Sequence, residues 1–171
     1  MSIYDANGHF WSGLFSANKP GWQAGLRSVS RRIGDMQFHP SENDGTGYEG
    51  WEKVADAAIK RKAKALCLGG HSNGVFAITS IAQKVKPHGI KCYLIAFDKT
   101  LKTCPKVGGN VPAVIEIWAQ LSKLSFAPDF SGRHEYHNFG PESHLSVIDN
   151  KLAQALAVDF GQRFKPIWSN P

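Results

Sequence analysis

The stretch Ala65–Val85, "ALCLGGHSNGVFAITSIAQKV", places one serine between two glycines, with an apolar run on each side. The run before it is a continuous apolar segment of strand length, and the run after it has the length and spacing of a helix. The period changes at Gly70-His71-Ser72-Asn73-Gly74, so a strand turns into a helix there with almost no loop. Ser72 then stands at the tip of the turn, at the carboxyl end of a central strand, where ligands of open α/β sheets bind. Glycines two residues before and two after make room, because a side chain at either place would collide with the neighbouring strand or helix. The helix beginning just after Ser72 turns free backbone N–H groups towards the same spot, where they can stabilise an oxyanion.

Working outward, the chain alternates strand and helix patterns. "SIYDANG" opens as a short strand ending at Gly8, and "PGWQAGLRSVSRRI" reads as a helix with Pro20 in its first turn and Trp22, Leu26, Val29 and Ile33 at spacings of three and four. "DMQFHPS" is a second short strand stopped by Pro40, followed by the polar loop "SENDGTG" and the helix "YEGWEKVADAAIKRK", with Trp51, Val54, Ala58 and Ile59 on one face. After the quoted stretch, "GIKCYLIAF" is a strand ending at Asp98, "AVIEIWAQ" is a fifth, and "NKLAQALAVDFGQRF" closes the chain as a helix. Strands joined by helices of this length need right-handed crossovers, which gives a mainly parallel sheet covered on both faces. The expectation is a three-layer α/β sandwich with about five strands. The apolar runs around Cys67 and Leu94 agree with it, since central parallel strands are buried on both sides.

At 171 residues the chain suits one domain, residues 1–171, with no internal repeat or linker. With 42% hydrophobic and 20% charged residues its composition is that of a soluble protein. No apolar run reaches the length of a membrane span, and the first residues show no signal-peptide pattern, so a cytoplasmic protein is expected. Cys67, Cys92 and Cys104 are few and odd in number, which suits buried thiols of a reducing compartment better than disulfides. The net charge of +6 is scattered through "RSVSRR", "KRKAK" and "KVKPHGIK", near helix ends where cations complement the helix dipole. No nucleic-acid partner is expected, because a binding face would need these patches to converge with aromatics between them.

The pentapeptide "GHSNG" resembles the nucleophile elbow G-x-S-x-G of the α/β-hydrolase superfamily, in its required strand-turn-helix setting. It lacks the Gly-Lys-Ser/Thr of a phosphate-binding loop and does not match G-x-G-x-x-G. The resemblance implies the chain order Ser, then Asp or Glu, then His. His144, in the loop "GPESHLSVIDNKLAQAL" before the last helix, corresponds to the family histidine, and "HLSVID" looks like the small lipase and thioesterase-like members. For the acid, Asp98 at the end of its strand is favoured, Asp129 in "SFAPDFSG" stays open, and Asp149 reads as a cap for the final helix. His134 and His137 in "GRHEYH" read as solvated positions or a pocket rim, and with His144 they match no strong metal signature, so neither metal nor cofactor is expected.

The family implies that the second oxyanion donor comes from the loop after the first core strand, here "NGHFWSG", which points to the N–H groups of His9 or Phe10 paired with that of Asn73. Phe10, Trp11 and His71 are the expected substrate contacts, with Phe15 and Trp22 as further aromatic walls. About 45 residues separate Asp98 from His144, too few for a strand and a cap domain as well, so the resemblance is to a lidless, cutinase-like core with an open site. It implies a serine esterase, lipase or thioesterase acting on a small-molecule or lipid-like ester, with Ser72 attacking, His144 as base and Asp98 orienting it. The alternatives are a catalytically inactive hydrolase fold used for binding, favoured if Ser72 is buried or lacks a histidine partner, and a flavodoxin-like binding domain. The latter needs a phosphate-binding loop after the first strand, and "NGHFWSG" is a poor one.

Overall fold

Six parallel strands form one sheet in a computed structural model that describes residues 2–13, 20–41, 45–99, 103–119 and 123–170. The strands are β1 (Gly8–Trp11), β2 (Met36–His39), β3 (Ala65–Ser72), β4 (Lys91–Lys99), β5 (Ala113–Trp118) and β6 (Arg133–Asn138), and they lie in the order β2-β1-β3-β4-β5-β6. The helices are α1 (Pro20–Ile33), α2 (Trp51–Lys60), α3 (Gly74–Val85) and α4 (Lys151–Trp168).

Side chains alternate across each strand, so the sheet feeds two cores. On one face Leu66, Leu68, Leu94, Ala96 and Val114 meet α2 and α3 through Val54, Ala58, Val75 and Ile78. On the other, Phe10, Cys67, Ile95 and Ile115 meet α1 and α4 through Leu26, Val29, Ile33, Ala157 and Phe160. Each of the larger aliphatic or aromatic side chains among these contributes about 1.5–3 kcal/mol by leaving water. The layers are therefore helix, sheet, helix, as expected, with all strands parallel.

Two departures concern the ends of the sheet. Six strands replace the expected five, because "RHEYHN" is the edge strand β6, whose residues are exposed or half-buried. A polar edge strand lacks the apolar pattern that marks buried strands, and polar side chains also protect an edge from pairing with other chains. At the start, Ile3–Asp5 is a single 3-10 turn, not a strand. The Asp5 carboxylate accepts the Ser2 N–H at 2.8 Å and Ser2 Oγ accepts the Tyr4 N–H, which closes the turn locally and delays the first strand to Gly8.

The sharp turn at the elbow rests on close contacts. A Cβ on Gly70 would stand 2.4 Å from the Gly74 carbonyl oxygen, and one on Gly74 would stand 2.7 Å from the Trp11 carbonyl oxygen. Both positions exclude any side chain, as the spacing required. Gly69, one residue earlier, lies directly under the Phe10 ring, 2.2 Å from where its Cβ would be.

Cys67 and Cys92 are buried free thiols, and burial pushes both up from their ordinary range. No helix among the described residues is long and apolar enough to cross a membrane.

Candidate active site

Ser72 is the last residue of β3, held at φ 57°, in the left-handed region that few non-glycine residues adopt. The neighbouring strand answers with an irregularity. His71 pairs with Phe97 but Ser72 pairs with Lys99, so Asp98 is an extra residue, at φ 30°, opposite the elbow. Such a bulge re-aims a side chain, and here the Asp98 carboxylate is turned towards the loop that carries His144.

The three side chains meet in series. His144 Nε2 lies 3.0 Å from Ser72 Oγ, and His144 Nδ1 lies 2.7 Å from Asp98 Oδ2. The other Asp98 oxygen accepts the Ala119 N–H at 2.9 Å. Asp98 is 1% exposed and His144 is half-buried, with Ser72 6% exposed at the tip of the turn. A neutral imidazole protonated on Nδ1 donates to the carboxylate and leaves Nε2 to accept the serine proton.

Around this series the structure supplies supports that no sequence pattern announces. The ring nitrogens of His71 stand 2.9 Å from the His144 carbonyl and 3.3 Å from that of Ser12, tying the histidine loop to the chain leaving β1. The His71 and His144 rings lie 4.7 Å apart. Asn73 Nδ2 donates to the Thr46 carbonyl at 2.9 Å, fastening the loop after β2 to the elbow. The loop after β5 begins on the Asp98 carboxylate through Ala119 and is held again where Glu116 accepts the Leu124 N–H at 2.5 Å. Burial pushes the Glu116 carboxyl up to about 7.

Several expected positions are corrected. His9 and Phe10 cannot lend their N–H groups to an oxyanion, because β1 is an inner strand: His9 pairs with Gln37 and Leu68, and Phe10 with Phe38 and Gly69. Nor do Phe10 and Trp11 wall a pocket, being 0% and 1% exposed. Phe10 packs over Gly69, and Trp11 stacks on His39 at 4.4 Å. His71 is buried beneath His144 and positions it, without a face for substrate. Asp129 is exposed and paired with Lys86 at 3.3 Å, beyond the carboxyl-terminal end of α3 and so at the far end of the sheet. The cap of α4 is Asn150, whose side chain accepts from Leu152 and Ala153, and Asp149 lies one residue before it.

His134 stands on β6 with its Nε2 3.2 Å from Glu116, apart from His144. Among the described residues no group of three or more His, Cys, Asp or Glu side chains is arranged to hold a metal ion. Phe15 and the Trp22 side chain lie outside the described residues.

Asn73 is the cap residue of α3, whose first-turn N–H groups have no intrahelical partner. The other chain that reaches Ser72 does so at Gly13, where a Cβ would stand 2.9 Å from the Ser72 Cβ. Gly13 at φ 84° therefore marks where the loop after β1 passes the serine.

Three buried histidines make the fold sensitive to acid. Burial lowers His9 to about 3, His39 to about 4 and His71 to about 4, and the His9 and His39 rings are in contact at 2.9 Å. An unfolded chain binds protons on all three near the ordinary histidine value of about 6.5, while the folded chain does not, so stability falls as pH falls. Glu116 opposes this by one proton, since its raised pKa favours the folded state between about 7 and its ordinary value. The net uptake of about two protons predicts a loss of about 3 kcal/mol per pH unit between pH 6 and 5. Urea midpoints measured at pH 7.5, 6 and 5 check this, and a flat profile contradicts it.

Comparison with known proteins follows the architecture. No family model matches the chain. Among curated proteins it is 29% identical over 107 residues to arginine decarboxylase 2 of Oryza sativa subsp. japonica, a segment that is 63% of this chain and 16% of that protein. The Vlm2 thioesterase domain, solved with a bound dodecadepsipeptide, superposes over 97% of this chain and 94% of its own at a TM-score of 0.52 and 11% identity. A protein of the alpha/beta hydrolase superfamily from Xanthomonas campestris pv. campestris covers 94% of this chain and 96% of its own at a TM-score of 0.49 and 16% identity. At these identities the likeness is one of fold, and the fold is α/β-hydrolase-like.

Proposed function

From an α/β-hydrolase-like fold that carries Ser72, His144 and Asp98 in hydrogen-bonded series, we propose that this chain is a serine hydrolase cleaving carboxylic esters or thioesters. The observation that carries the reading is the alignment of His144 Nε2 on Ser72 Oγ at 3.0 Å, with Asp98 on Nδ1 at 2.7 Å. A free serine hydroxyl is a weak nucleophile, and a base in hydrogen-bond contact is what activates it.

His144 Nε2 takes the Oγ proton as Oγ bonds to the substrate carbonyl carbon, and the carbonyl electrons move onto oxygen. The Asn73 N–H, at the start of α3, receives that oxyanion. Asp98 stabilises the imidazolium without taking its proton, and the Ala119 N–H keeps the carboxylate fixed. As the carbonyl re-forms, His144 returns the proton to the departing alcohol or thiol. Water, deprotonated by His144, then attacks the acyl-serine, and Ser72 leaves with the proton restored. The Vlm2 neighbour is a thioesterase, which supports acyl transfer as the chemistry. Cytoplasmic residence belongs to the same proposal and rests on the buried thiols of Cys67 and Cys92, which suit a reducing compartment.

The low exposure of Ser72 favours a second reading, an inactive hydrolase fold kept for binding. A serine retained only as architecture has no use for a histidine and a buried carboxylate aligned on its hydroxyl, and that geometry favours the hydrolase. A panel of p-nitrophenyl esters and acyl thioesters of increasing chain length separates the two. Hydrolysis that disappears in Ser72→Ala is expected, whereas rates equal to those of Ser72→Ala across the panel would contradict it.

A further inference from the structure

The end of the molecule opposite Ser72 has a character of its own. In a parallel sheet every strand starts at the same end, and the helices that return the chain finish there, so the carboxyl ends of α1, α2, α3 and α4 share one face with the amino ends of the strands. The basic segments that are scattered in sequence converge on this face. Arg31, Arg32, Lys60, Lys62, Lys64 and Lys91 are all exposed, and none has an ion-pair partner among the described residues. Of the acidic groups here, Asp35 is neutralised by Lys165 at 2.8 Å and Asp129 by Lys86 at 3.3 Å, while Asp5 lies near the Arg61 guanidinium.

Backbone contacts draw the elements that carry these cations together. The Lys91 N–H donates to the Lys64 carbonyl at 3.1 Å, joining the start of β4 to the end of the α2 turn. A cavity of about 710 Å³ spans from that turn to the start of β2, lined by Asp35, Met36, Arg61, Lys62, Ala63 and Trp168 among others. Lys165 donates to the Ile33 carbonyl at 3.2 Å, which brings the last turn of α4 against the end of α1. Ile167 is on that last turn, at the same end of the molecule, and is 50% exposed.

Helix-dipole complementation accounts for a basic residue in each last turn, but Lys64 and Lys91 lie outside any helix. We infer that this cationic face docks on an anionic phospholipid surface, with Ile167 entering the interface and Ser72 directed away from the membrane. Unpaired cations gathered at one end of the molecule, with an exposed aliphatic side chain at the same end, match a charged lipid headgroup plane. Nucleic acid is the poorer fit, because the exposed large apolar side chains among the described residues are Ile3, Leu145, Leu152 and Ile167, with no aromatic to stack on bases.

The test uses the 171-residue chain in a sedimentation assay with phosphatidylcholine vesicles and with vesicles of phosphatidylcholine and phosphatidylserine at 7:3, in 0.1 M salt. Partition onto the mixed vesicles is expected to exceed that onto phosphatidylcholine by more than tenfold and to collapse at 0.5 M salt. Each cation near such a surface is worth about fivefold, so Lys60→Gln with Lys64→Gln should lower partition by about 25-fold. Lys53→Gln with Lys151→Gln removes the same charge from the first turns of α2 and α4, at the Ser72 end, and should leave partition within twofold. Ile167→Ser should weaken it with no change in net charge. Circular dichroism confirms that each variant is folded. Equal partition onto both vesicles, equal losses in the two lysine pairs, or tighter binding to a 20-base-pair duplex than to the vesicles would each overturn the inference.

Discussion

Replacing His144 with alanine is expected to lower the rate of ester or thioester cleavage by roughly four to six orders of magnitude, with the chain still folded. The imidazole is half-buried and its ring contacts include the polar groups of Ser72 and Asp98 and the His71 ring, so its loss removes little apolar packing. It removes both the acceptor for the Oγ proton and the acid that returns it, and the two roles fail together. Ser72→Ala should cost about as much, and the double variant scarcely more, because groups that act as a unit are not additive. Active-site titration with matched circular dichroism spectra checks this. Losses that multiply in the double variant, or a loss under tenfold in either single one, would show that the two residues do not act on one proton.

Asp98→Asn is expected to lower the same rate by roughly four orders of magnitude while leaving the backbone in place. The position is at φ 30°, and asparagine is among the few residues that tolerate positive φ, so the bulge in β4 should survive. The amide can present its oxygen to the Ala119 N–H and its NH₂ to His144 Nδ1. That pairing forces the imidazole proton onto Nε2, where it meets Ser72 Oγ as a donor and can no longer accept. Asp98→Ala removes both partners, leaves the Ala119 N–H buried without its acceptor, and should lower the urea midpoint as well. The measurement is the rate in Asp98→Asn beside its unfolding midpoint: a large loss of rate with little change in stability is expected. A variant that keeps full rate would show that Asp98 does not set the tautomer.

The residues whose demands are local were legible in the chain. Gly70 excludes a side chain because Gly74 lies against it four residues on, so the pattern, taken with the strand and helix that flank it, locates the elbow and with it the serine. Asp98 could be read from its place at the end of a buried strand, although the bulge that turns its carboxylate depends on pairing with β3 and has no sequence signal. His144 is 72 residues from Ser72, and only the chain order of a resembling family connected them beforehand.

What could not be read depends on how the strands pair. That His9 and Phe10 lie inside the sheet follows from β1 pairing on both sides, which no local sequence pattern marks. Their burial also explains Trp11, since an inner strand of four residues has no exposed side. β6 was missed because Arg133, His134 and Asn138 are exposed and polar, leaving no alternation to detect. Ala119 and Thr46 act through backbone atoms, to which side-chain patterns are blind. The basic end has the same origin: dispersed lysines and arginines meet only because a parallel sheet gathers its helix ends on one face.

The central claim is that Ser72 is an activated nucleophile. Intact-mass measurement after treatment with a fluorophosphonate probe tests it most directly, on the parent chain beside Ser72→Ala and His144→Ala. The account predicts a single adduct on the parent, mapped to Ser72 and absent from both variants. A folded parent that takes up no adduct at any pH between about 6 and 9, a window spanning the ordinary histidine pKa, would contradict it.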